Sequence, residues 1–263
     1  MNIAYYHVDC FTENLFSGNP AAVCVMSAWL SDALMQTMAA EHHLPATAFI
    51  VEENHAYGIR WFSPDGEIEL CGHGSIAASS VVFNYLKPAW LTVTFISPQH
   101  TVIVSRDQNN FTLDFPAQYL QVCTIEEALL KVLGIKPLAV YKTNTYLVLL
   151  ENEQQVRKLQ LDTLALRQLN CRNILITAPG DKVDFVSRNF YPKKTVMEDP
   201  VTGSAHCILA PFWAKRLNKN RLYAQQVSAR GGELICEVNN ERVLITGSAI
   251  LYQKGEIILP KVV

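Results

Sequence analysis

Short runs in which apolar and polar residues alternate dominate this chain, and they predict strands. Ala4 to Phe11 opens as one and Ala21 to Met26 is a second, with Phe16-Ser17-Gly18-Asn19-Pro20 a tight loop by its Gly, Asn and Pro content. Ser31 is a good N-cap for a helix over Asp32 to His42, whose Leu34, Met35, Met38 and Ala39 recur at helical spacing. Ala48 to Val51 reads as strand, and Gly58 to Ser63 and Glu67 to Leu70 as paired strands. After Gly74 the residues Ile76, Ala77, Ala78, Val81, Val82 and Phe83 leave no polar face, which predicts a buried helix. Strands at Trp90 to Ile96, Thr101 to Ser105 and Phe111 to Phe115 are expected to wrap it, and Pro116 closes a first lobe.

The order then repeats. Ile125 to Leu133 and Leu159 to Leu169 read as helices, and Leu138 to Thr143, Thr145 to Leu150, Asn173 to Thr177 and Val183 to Phe190 as strands. A turn from Glu198 to Ser204 leads into a helix reaching Leu217, in which Pro211 predicts a kink. Gln226 to Val238, Arg242 to Thr246 and Ala249 to Tyr252 read as strands, with a bend or bulge at Gly231-Gly232.

The repetition extends to motifs. Arg60-Trp61-Phe62-Ser63-Pro64 precedes an acidic stretch, then Cys71-Gly72-His73-Gly74-Ser75 and an apolar run. Arg188-Asn189-Phe190-Tyr191-Pro192 precedes Glu198-Asp199, then Thr202-Gly203-Ser204 and an apolar run. The shared frame is Arg-x-Phe-x-Pro, carboxylates, a Gly turn and a helix. The two arginines lie close to half of the 263 residues apart, which suggests two similar lobes from an old duplication. The pattern therefore predicts an α+β fold with lobes 1–116 and 117–263, the last strands free to pack back on the first lobe. Each lobe is expected to point a helix N-terminus at a shared cleft, an arrangement suited to a small carboxylate.

Composition narrows the classes. Half of the chain is apolar, the net charge is −2 and no basic stripe is present, so nucleic acid is not an expected partner. The first residues lack a cationic and an apolar signal region, and the apolar runs are too short to span a bilayer. The seven cysteines, at 10, 24, 71, 123, 171, 207 and 236, have no CxxC spacing and read as reduced thiols of a cytoplasmic protein.

Two segments carry chemistry. In the first turn, glycines let the backbone approach a ligand, and His73 can donate to a carboxylate or shuttle a proton. In the second, an acid can serve as general acid or anchor a substrate hydroxyl or amine, while Thr202 or Ser204 can cap the helix. Capping and catalysis are compatible, since the same N–H groups serve both. A thiol mechanism through Cys71 next to His73 is disfavoured because the second turn has no matching cysteine. A metal site from His42, His43, Cys71 and His73 is weaker still, so no metal is expected.

Taken together, Val8-Asp9-Cys10-Phe11-Thr12, Phe16 to Val23, Arg60 to Pro64, Leu70-Cys71-Gly72-His73, Glu198 to His206 and Ser228-Ala229-Arg230-Gly231-Gly232 resemble the phenazine-biosynthesis isomerase-like family, which has the diaminopimelate epimerase fold. The resemblance runs essentially end to end. It implies two strand barrels, each around a central helix, with the site between them, and a homodimer. For the characterised isomerase it implies a cofactor-free proton shift on trans-2,3-dihydro-3-hydroxyanthranilate. The acid/base there is a glutamate in a Leu-Ser-Glu-Thr segment; this chain has Leu44-Pro45-Ala46-Thr47, with Ala46 in its place. The catalytic positions are then His73, Asp199 and the incompetent Ala46, with Asn19, Gly72, Gly74, Ser75, Gly203 and Ser204 binding substrate. Asp199, Glu69 or His73 would have to move the proton. The leading expectation is an isomerase acting on a small carboxylate-bearing metabolite. The alternatives are a binding protein with a vestigial site, and a racemase or epimerase using Cys71.

Overall fold

Strands β1 (Asn2–Cys10) and β2 (Asn19–Met26) pair antiparallel across a loop over residues 11–18, so Asn19 and Pro20 of the expected tight loop begin β2. Gly18 has φ +68° there, and a Cβ on it would stand 2.2 Å from the Cys10 carbonyl oxygen, so only glycine fits. The computed structural model, which describes residues 1–260, continues with α1 (Asp32–His42), β3 (Ala46–Glu53), β4 (Ala56–Ser63), β5 (Gly66–Ile68), α2 (Gly72–Val81), β6 (Thr92–Ile96), β7 (Thr101–Asp107) and β8 (Asn110–Pro116). Ser31 caps α1 as expected, its Oγ accepting from the Leu34 N–H at 3.3 Å. His43, with φ 52°, ends it by donating its N–H to the Ala39 and Ala40 carbonyls.

Contacts divide the chain into two compact units, 1–114 with the chain from Ile245 onward, and 115–244. In the first unit β1 pairs with β2, β2 runs parallel to β3, and β3 pairs antiparallel with β4. β4 takes β5 antiparallel and β6 parallel, and β6, β7 and β8 follow antiparallel. The last strand pairs with both β8 and β1, which closes an eight-stranded barrel. α2 is its central helix: it packs on β1, β2 and β3, and all ten of its residues are buried. It starts at Gly72, four residues before the apolar run begins at Ile76, and widens into a π-turn over Val82–Leu86. α1 lies on the other side of the strands, where Met35, Met38 and Ala39 meet Ile3, Cys24, Met26, Phe49, Val51 and Phe62.

The second unit holds β9 (Gln121–Cys123), α3 (Glu127–Leu133), β10 (Ala139–Lys142), β11 (Thr145–Leu149), α4 (Glu153–Lys158), α5 (Thr163–Gln168), β12 (Asn173–Pro179), β13 (Phe185–Phe190), β14 (Glu198–Asp199), α6 (His206–Leu217), β15 (Arg221–Gln226) and β16 (Gly232–Asn239). Its pairings repeat those of the first unit: β10 antiparallel to β11, β11 parallel to β12, β12 antiparallel to β13, then β13 with β14 antiparallel and with β15 parallel. α6 takes the place of α2. On the opposite face, α3, α4 and α5 cover Tyr146, Val148, Ile174, Ile176 and Val186 through Leu129, Val132, Val156 and Leu166.

Four sequence expectations change. Of the helix expected over Leu159 to Leu169 only α5 forms, started by its Asp162 cap, and the unexpected α4, capped by Asn152, ends before it at Lys158. Pro211 leaves α6 continuous: the Cys207 carbonyl, deprived of a partner at Pro211, accepts from the Gln118 N–H at 2.8 Å. The strand expected from Gln226 to Val238 forms only from Gly232, as β16; Gln226 ends the unexpected β15, and Gly231, with φ +65°, lies in the turn between them. The two final strands are one, β17 (Arg242–Ile258). β17 pairs with β1 from Asn2↔Ile258 to Cys10↔Ala249 and so takes the chain from Ile245 into the first unit, the packing back that the sequence left open for the last strands.

Candidate active site

In the first unit the site residues gather where β5 hands over to α2. Cys71 is the N-cap in extended conformation, with no side-chain cap bond. Ser75 closes the turn instead, its N–H and its Oγ both donating to the Cys71 carbonyl at 3.0 and 2.8 Å. The Ser75 hydroxyl is thus engaged in holding the backbone. Gly74 is required by a close approach: a Cβ there would stand 2.7 Å from Trp61 Cδ1 and 3.1 Å from Cys71 Sγ. His73 is 7% exposed, with Nδ1 3.5 Å from Cys71 Sγ. Cys10 Sγ donates to the His73 carbonyl at 3.3 Å, and Cys10 is the strand partner of buried Asn19, so Asn19, Cys10 and His73 are neighbours.

Position 46 belongs to the same side of the strands. Phe49 and Val51 face α1, and Thr47 Oγ1 lies 3.0 Å from Nδ1 of His42 at the end of α1. By two-residue alternation Ala46 points the other way, toward the side covered by α2. It is fully buried and sits opposite Ala21 in a parallel pair. Of the substitutes for the missing glutamate, Glu69 is exposed and pairs with His100 at 3.0 Å.

In the second unit, Glu198 and Asp199 have different partners. Arg188 grips Glu198 with two parallel bonds of 2.7 and 2.8 Å. Arg60 grips Glu67 in the same way in the first unit, and each arginine also lies over the phenylalanine two residues on. The repeated Arg-x-Phe frame is therefore a structural clasp. Asp199 is left to the polar interior, where its Oδ2 accepts from Thr202 Oγ1 at 2.5 Å. The expected capping role of Thr202 does not form; its side chain makes no cap bond to the 3-10 turn Gly203–Ala205. Gln226 secures the turn, donating to the Asp199 carbonyl at 2.6 Å and accepting from the Thr202 N–H at 2.8 Å. Gly203 is buried there and Ser204 half-buried.

His206, fully buried at the start of α6, has Nδ1 2.9 Å from the Thr202 carbonyl. A carbonyl only accepts, so Nδ1 carries the proton. Burial pushes its pKa down to about 4, against a smaller opposing effect of that bond, so the ring is neutral. Thr202, singled out in the sequence only as a helix cap, is thus joined around Asp199 and its turn by Asn189, Gln226 and His206, which the sequence did not single out. The available signal was Asn189, a polar residue where Arg-x-Phe in the first lobe has Trp61. Among the described residues no group of three or more His, Cys, Asp or Glu side chains is gathered to hold a metal ion.

Comparison with known proteins agrees with this architecture. A solved phenazine biosynthesis protein of the PhzF family from Enterococcus faecalis superimposes with a TM-score of 0.95 at 45% identity, covering 98% of this chain and 100% of that one. A hydroxyproline epimerase from Agrobacterium vitis, at 9% identity and TM-score 0.61 over 97% of this chain and 91% of that one, shares the fold alone. A protein of Pseudomonas aeruginosa named as an uncharacterized isomerase is 48% identical over 258 residues, which is 98% of this chain and 99% of that relative. The family model described as phenazine biosynthesis-like protein matches residues 8–255, and this chain belongs to that family.

Proposed function

We propose that this protein is an isomerase that moves a proton within a small carboxylate-bearing metabolite, a cyclic amino acid in the first instance, without a cofactor. The observation that carries the reading is the pair of matched turns, one with a proton-handling side chain at the start of a buried helix and the other with one on the strand just ahead of it. His73 lies beside Cys71 at the start of α2, and Asp199 is held by Thr202 ahead of α6. N–H groups at such helix starts favour a carboxylate, and His73 and Asp199 are the acid–base groups. In this reading Asn19, Gly72, Gly74, Gly203 and Ser204 help hold the ligand, and Ser75 contributes by keeping the turn closed. Membership of the family, and the naming of its relatives as isomerases, support the reaction class. The proposal extends to a cytoplasmic homodimer with its cysteines reduced; sedimentation would check the dimer.

Ala46 favours a second reading, a binding protein that keeps the carboxylate site and performs no chemistry. A buried methyl group cannot move a proton, and loss of a general acid/base costs about 10²–10⁴-fold. Deuterium uptake in D₂O, followed by NMR with dihydrohydroxyanthranilate and a panel of small cyclic amino acids, separates the two. The first reading expects uptake by the native chain. Uptake only in Ala46→Glu would favour the second, and neither uptake nor binding would overturn both.

A further inference from the structure

The two halves of the repeat share a strand register but not its chemistry. Across β4 and β5, Phe62 faces Glu67 and Trp61 faces Ile68. Across β13 and β14, Phe190 faces Glu198 and Asn189 faces Asp199. Where the first unit has an apolar pair beside its central helix, the second has an amide and a carboxylate.

Behind that pair runs a line of hydrogen bonds through three neighbouring strands. Thr145 Oγ1 donates to Asn173 Oδ1 at 2.6 Å, and Asn173 Nδ2 donates to Asn189 Oδ1 at 2.8 Å. Asn189 Nδ2 donates to Thr202 Oγ1 at 2.9 Å, and Thr202 Oγ1 donates to Asp199 Oδ2 at 2.5 Å. All four donors are at most 5% exposed, and every donor points toward the carboxylate. Two amides interrupt the line, and an amide does not release its proton near neutral pH, so the line is not a proton wire. It is a polarised chain in which each bond strengthens the next, and donation onto a carboxylate favours the ionised form.

We propose that Thr202, Asn189, Asn173 and Thr145 are positioning residues that fix Asp199 and hold it ionised, so that it meets its ligand as a carboxylate. The inference rests on the reading of Asp199 as a site residue. Glu198 leaves the other side of β14 and is held by Arg188, His206 on α6 is neutral, and β13 and β15 contribute uncharged Ser187, Asn189 and Gln226. No such need explains Trp61, whose Nε1 makes no hydrogen bond among the described residues.

The test is a ¹³C NMR titration of the full chain labelled at aspartate carboxyls, with the Asp199 signal identified by its loss in Asp199→Asn. The Asp199 midpoint is expected below the usual aspartate value of about 3.9. Thr202→Val should raise it by about one pH unit or more, Thr202→Ser should restore it, and Asn189→Leu, one step removed, should raise it by less. A midpoint unmoved in Thr202→Val, or moved as far in Thr202→Ser, overturns the proposal. Should Thr202→Val fail to fold by ¹H–¹⁵N spectra, Thr145→Val at the far end of the line decides it: a raised midpoint supports the proposal and an unchanged one overturns it. The titration needs no turnover. A shifted midpoint in a protein that exchanges protons with no compound would keep this inference and end the isomerase reading, and an unmoved midpoint in an active enzyme would do the reverse.

Discussion

Glu198 and Asp199 are adjacent on a two-residue strand, so their side chains leave it on opposite sides, one to Arg188 and the other to Thr202. The division of labour predicts different phenotypes. Asp199→Asn should lower the rate of deuterium exchange by at least about 10²-fold with little change in stability. Glu198→Gln should do the opposite, which paired exchange and urea-unfolding measurements would check. Cys71 is the other residue-scale question, because its sulfur lies 3.5 Å from the His73 ring. Cys71→Ala is expected to keep exchange within about tenfold; a fall to baseline would put the thiol in the reaction and favour a racemase-type mechanism.

At the scale of elements, the duplicated arginines tie the sheet to the helices outside it. Arg60 reaches Asp32 in the first turn of α1 at 2.6 Å. Arg188 donates to the Val156 and Leu159 carbonyls at 3.2 and 2.7 Å, where α4 ends. Asp32 is largely exposed, whereas the groups around Arg188 are mostly buried, so solvent screens the first clasp more. Arg188→Met should therefore destabilise by about 2–3 kcal/mol and Arg60→Met by about 1 kcal/mol. Urea midpoints compared at constant slope would read this, and equal losses would mean that the helix-end carbonyls contribute nothing.

For the whole molecule the consequence is a pH-dependent stability. His206 is neutral in the fold, with its pKa near 4, and protonates in the unfolded chain near 6.5. Between those values the unfolded state binds the extra proton, so stability is full above about pH 6.5 and falls as pH drops toward 4, by roughly 3 kcal/mol. Burial lowers the pKa of His42 too, which adds in the same direction. Urea unfolding between pH 4 and 7 should show this decline, and His206→Gln should flatten most of it.

How far the chain could be read follows from the range of each signal. Local patterns decided the α1 cap at Ser31, the buried helices after the two Gly turns and most of the strands along the chain, because capping and periodicity act within a few residues. The repeat of Arg-x-Phe, acid, turn and helix reappears as matched strand pairings in both units. Long-range pairing was not legible. The join of β17 to β1 spans nearly the whole chain, and nothing near Ile245 marks it. Asn173, Thr145 and His206 looked like ordinary strand and helix residues, because a polar side chain gains its meaning from partners brought in by other strands. Sequence alone determined which residue types stand at the two helix starts and that position 46 is an alanine. Only the tertiary structure decided that Arg188 occupies Glu198 and that a buried line of donors ends on Asp199, since hydrogen bonding between distant segments exists only once the sheet has formed.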